Sequence, residues 1–84
     1  MSIITTDDYK REKLHDSIVS ACLSERAPEG QASQFATEVC KGVENWLDIR
    51  PEVTSDDLRR VAANILGIYH PDAAYVYEQQ AVTL

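Results

Sequence analysis

Apolar residues recur along this chain every three or four positions in four successive blocks, the spacing of one face of an α-helix. From Asp8 to Leu23, the residues Leu14, Ile18, Ala21 and Cys22 share a face. Asp7 and Asp8 complement the positive end of a helix, and Thr6 or Asp8 is placed to cap it. "RAPEGQ" then breaks the pattern with Pro28 and Gly30 and reads as a loop. The second block, Gln31 to Asp48, is the clearest. Ala32, Phe35, Ala36, Val39, Cys40, Val43, Trp46 and Leu47 form an uninterrupted stripe wide enough to be buried, and Trp46 is expected inside.

Pro51 ends that helix, because it removes a backbone donor and pushes Arg50 towards extended geometry. "TSDDLRRVAANILGIYH" restarts with Thr54 or Ser55 as cap and Asp57 three residues after Thr54. Its buried stripe is Leu58, Val61, Ala62, Ile65 and Leu66, with Gly67 marking the end. A short fourth helix opens on Pro71 and carries Ala73, Ala74 and Tyr77 on one side. Only Ile3 to Thr6 has strand-like composition, and no second strand is apparent for it to pair with. The expected fold is all-α, a compact four-helix domain over 1–84 with its core in about 8–78 and at most one short N-terminal strand.

Composition narrows the partners. The net charge of −6 supplies no basic stripe to displace counterions from nucleic acid, and an anionic membrane surface repels such a chain. No apolar run approaches a membrane span, and "MSIITTDD" lacks the features of a secretory leader, so a cytoplasmic setting is expected. Cys22 and Cys40 lie on apolar stripes and read as reduced core residues. No His/Cys spacing suits zinc, so no structural metal is expected. No nucleophile–base or paired-carboxylate arrangement has credible spacing, and an enzyme is not expected.

Four motifs follow one another. Tyr9, then Arg11-Glu12-Lys13 and Leu14, starts the first helix, and the long second helix covers Ala32 to Leu47. Val53-Thr54-Ser55 followed by Leu58 starts the third, and Ala73-Ala74-Tyr75-Val76-Tyr77 closes the series. That order, from about Tyr9 to Tyr77, resembles the ATP-cone, the regulatory nucleotide-binding domain of ribonucleotide reductases and of their transcriptional repressor. The resemblance implies the cone's helical scaffold and a regulatory role with ATP or dATP and magnesium as ligand. Lys13 would reach the phosphates from the first helix, with Thr54 or Ser55 and Arg59 on the opposite wall. Lys10 stands where the family often has Asp and adds a cation to the same helix start. The family's hairpin "V-x-K-R-D-G-R" has no counterpart. Eight residues precede Tyr9, none of them Gly, Lys or Arg, and "SIITT" stands where the second strand would be.

Lys10, Arg11 and Lys13 also have a simpler explanation. They alternate with Asp7, Asp8, Glu12 and Asp16, which suits a solvated face with weak ion pairs. Arg59 and Arg60 likewise fall three and four residues after Asp56. Two functions therefore stand side by side. One is a nucleotide-responsive module whose binding is weakened or lost. The other is a non-catalytic helical domain for association with a larger protein or with itself.

Overall fold

The computed structural model describes residues 3–5, 9–50 and 52–80. These residues form four helices and one pair of strands. The elements are β1 (Ile3–Thr5), α1 (Arg11–Ser24), α2 (Glu29–Ile49), β2 (Glu52–Thr54), α3 (Ser55–Tyr69) and α4 (Pro71–Gln80). The all-α class and the four helices stand as the periodicity predicts. The strand does not stand alone, however. β1 pairs antiparallel with β2, Ile3 opposite Thr54, Ile4 opposite Val53 and Thr5 opposite Glu52. Pro51 stops α2, and the residues after it run extended far enough to meet β1 before Thr54 turns the chain into α3.

Short links make successive helices antiparallel, and each helix packs on the next, with α4 closing back onto α1. A 21-residue helix is about 32 Å long, so α2 runs nearly the whole of the 34 Å long axis. Leu14, Ile18, Val39, Val43, Leu58, Leu66 and Tyr77 are fully buried between the helices, and Cys22 and Cys40 lie among them as free thiols. Burial pushes both thiols above their ordinary pKa, because a thiolate there would lose its hydration. At the contact of α2 with α3, a Cβ on Gly42 would stand 2.6 Å from Ile65 Cδ1, so the helices cross closely there. Phe35 and Trp46, three helical turns apart, share one edge of the α2 stripe and pack against the core without being fully enclosed, while Cys40 at the other edge is fully buried.

Helix ends differ from the sequence reading in three places. α1 starts at Arg11, and its expected caps Thr6 and Asp8 lie outside the described residues. α2 already begins at Glu29, with Pro28 as its cap residue, so Gly30 belongs to the first turn. α3 runs through Gly67 to Tyr69 because Gly67 faces Ala74 of α4, and Pro71 ends the helix instead.

The end of α1 carries a specific device. The N–H of Ala27 donates to the Cys22 carbonyl at 3.1 Å and that of Arg26 to the Leu23 carbonyl at 3.0 Å, the two bonds of a Schellman turn. The turn needs a left-handed residue, and Arg26 supplies it at φ 64°. A side chain in that conformation costs about 1–2 kcal/mol that glycine avoids, offset by glycine's freer unfolded chain. Arg26→Gly is therefore expected to stabilise the domain by about 1 kcal/mol, read as a raised midpoint in urea. A lowered midpoint would mean that the Arg26 side chain makes a compensating contact.

Candidate anion site where α1 and α3 start

The up-and-down packing of successive helices puts the starts of α1 and α3 at the same end of the bundle, and the β1–β2 pair lies there, with β2 running directly into α3. Helix starts present unpaired N–H groups and a partial positive charge. Six of the eight cations, Lys10, Arg11, Lys13, Arg50, Arg59 and Arg60, lie in or beside the segments that meet there.

At the start of α3, Thr54 is the cap residue, and its Oγ1 accepts from the Asp57 N–H at 3.1 Å. The Thr54–Asp57 relation is thus legible in the sequence, and Ser55 becomes the first helical residue. Arg59 pairs with Asp56 one turn earlier, as the local spacing suggests, and lines a polar cleft with Asp56, Arg60, Glu78 and Gln79.

At the start of α1, Lys10 is the cap residue and makes no side-chain cap, which leaves the first-turn N–H groups without one from that side chain. Lys10 lines a separate recess with Tyr9, Arg11 and Glu12. Lys10 and Lys13 are exposed and form no ion pair among the described residues. Arg11 is different. Its Nη1 donates to both carboxylate oxygens of Glu44 on α2, at 2.8 and 3.0 Å, and the Tyr9 hydroxyl donates to the same carboxylate at 3.0 Å. The Cys40 thiol donates to the Arg11 carbonyl at 3.8 Å. Arg11 is therefore committed to holding α1 on α2, and its partner lies 33 positions away rather than among Glu12 and Asp16. Sequence spacing reveals only pairs within one helix, so this contact gave no signal.

One buried group sits between these features. Tyr77 is 1% exposed, and its hydroxyl is the buried side-chain oxygen that has no hydrogen-bond partner among the described residues. It lies within the electrostatic reach of Arg59 on α3 and Cys40 on α2. Burial is the main cause that pushes its pKa up to about 12, with the Arg59 charge acting in the opposite direction. Tyr9 is also shifted upward, first by burial, then by the nearby Cys40 thiol and the Glu44 carboxylate.

The structure thus places Lys10, Lys13, Thr54, Ser55 and Arg59 at one end of the bundle without gathering them in one cleft. Arg59 and Lys10 line different recesses. Comparison with known proteins adds no relative, since no family model, no curated protein and no solved structure matches the chain.

Proposed function

We propose that these 84 residues form a regulatory module of the ATP-cone kind, without chemistry of its own, that takes the phosphates of ATP or dATP weakly where α1 and α3 start. The observation that carries this reading is the up-and-down helix packing, which brings the N-termini of α1 and α3 to the end of the bundle where six of the eight cations lie. In this reading Lys13 is the principal phosphate contact, with Lys10 beside it. The Thr54 and Ser55 hydroxyls and Arg59 flank the start of α3, and magnesium arrives with the phosphates.

Affinity is limited by what is already engaged. Arg11 is held by Glu44 and Arg59 by Asp56, and a phosphate must compete with both carboxylates. The 84 residues also contain no counterpart of the Gly-containing hairpin that closes over the base in the family. Binding no tighter than about 1 mM follows, or roughly 4 kcal/mol. Ligand-observed NMR with Mg-ATP and Mg-dATP should show such binding, fading with added salt as exposed charges are screened. Lys13→Ala should abolish it while the melting temperature stays unchanged, because Lys13 is exposed and buries nothing. Micromolar affinity, or binding indifferent to Lys13→Ala, would contradict this assignment.

A protein-association role is favoured by a separate observation, the exposed apolar residues at the opposite end of the bundle.

A further inference from the structure

A single residue, His70, joins α3 to α4, and it serves both helices at once. Its backbone N–H donates to the Leu66 carbonyl at 2.8 Å and closes α3, while its carbonyl accepts from the Ala74 N–H at 3.0 Å and opens α4. The side chain adds a third contact. Nδ1 of the imidazole accepts from the Ala73 N–H at 3.4 Å, the bond that a serine or aspartate cap makes at other helix starts. Pro71 has no N–H, so Asp72 and Ala73 carry the first-turn donors of α4, and the ring takes one of them. Phe35 on α2 meets the imidazole edge-on, with centroids 6.4 Å apart, and stacks on Tyr69 at 5.4 Å, so the partly buried ring is held in place.

A histidine cap differs from a serine or aspartate cap in one respect. Nδ1 accepts only while the ring is neutral with its proton on Nε2. A second proton makes both nitrogens donors, and no rotation of the ring then restores an acceptor to Ala73. The added charge favours the close of α3 and opposes the start of α4, two effects of opposite sign. The lost acceptor is therefore the decisive change. The charged groups at this end of the bundle are Glu25 and Arg26 at the close of α1, Glu29 at the start of α2 and Asp72 on α4 itself. None of them forms an ion pair with His70 among the described residues.

We infer that His70 is a pH-sensitive cap, which holds the first turn of α4 while its ring is neutral and releases that turn when the ring is protonated. The first turn matters because it carries Ala73 and Ala74, both buried against the core, and α4 is too short to persist without its packing. The inference does not depend on nucleotide binding, which concerns the other end of the bundle.

The test follows the ring nitrogens and the amide exchange of the isotope-labelled chain by NMR from about pH 8 to about pH 5, the range in which histidines change charge. At the upper end Nδ1 should carry no proton. As the ring takes up its second proton, protection at Ala74 and Tyr75, corrected for the intrinsic exchange rate at each pH, should fall about fivefold, the effect of losing a typical cap. Protection along α1 and α2 should not follow that step. His70→Asn supplies an acceptor that does not titrate and should remove the step, whereas His70→Ala should show the lower protection throughout. A proton on Nδ1 at the upper end, or protection that ignores the ring's titration, would overturn the proposal. So would a step that survives in His70→Asn, which would assign it to another group such as His15.

Discussion

Tyr77→Ala is expected to cost the domain about 3–5 kcal/mol, a large share of its stability, whereas Tyr77→Phe should leave it as stable as the parent or more so. Tyr77 is the largest fully buried side chain and sits on α4, the shortest helix, which packs on both α1 and α3. Ten residues are too few to be helical in isolation, so α4 depends on the contacts its buried residues make. Truncating a large buried aromatic costs about 3–5 kcal/mol. At roughly 0.05–0.15 kcal/mol per residue, a domain of this size holds only about 4–13 kcal/mol in total. The phenylalanine variant removes one atom whose hydroxyl has no partner. Deleting an unsatisfied buried group relieves a desolvation penalty of about 1–3 kcal/mol, an upper limit for the gain. Urea unfolding followed by far-UV circular dichroism measures both. Marked loss of stability in Tyr77→Phe would show that the hydroxyl has a hydrogen-bond partner after all.

The same residue predicts how the domain fails in alkali. An unfolded tyrosine ionises near 10, while burial holds the Tyr77 proton up to about 12. Between those values the unfolded chain has already released a proton that the folded chain keeps, so unfolding gains ground as the pH rises. The stabilisation is whole below pH 10, falls through the interval, and is lost above about pH 12, a change of roughly 3 kcal/mol. Tyr9, shifted in the same direction by burial, Cys40 and Glu44, adds to the loss. Melting temperatures across this range should therefore drop steeply, and less steeply in Tyr77→Phe. Ionisation of every tyrosine near pH 10 with the fold intact would contradict the burial of Tyr9 and Tyr77.

The four helices were legible because their signals are local: a three-to-four-residue apolar spacing, Pro51 and Pro71 as stops, and Thr54 three residues before Asp57. What stayed hidden is non-local or too short to carry a period. β2 has three residues and one apolar side chain, Val53, which no alternation can distinguish from a turn, and its partner lies about fifty positions away. Arg11 looked like one of three equivalent cations, yet only its side chain reaches Glu44 across the α1–α2 contact. Gly67 looked like a terminator, but a glycine facing Ala74 serves close packing as readily as a helix end. The candidate site was legible in part. Sequence order picks out the cations and hydroxyls at two helix starts, and the strand pair that lies beside those starts appears only in three dimensions. The separation of Lys10 and Arg59 into different recesses could not be read from spacing, because it depends on how α4 seats against α3.

The central claim is that a phosphate is held where α1 and α3 start. It is tested most directly by the protein's own amide NMR spectrum, titrated with Mg-ATP and Mg-dATP to saturation. The account predicts that the amides of Lys10 to Lys13 and of Ser55 to Arg59 move together along one binding curve, with Ile68 and Tyr69 unaffected. If no amide at either helix start moves at saturating nucleotide, the cations are a solvated surface, and association through the apolar end is the role that remains.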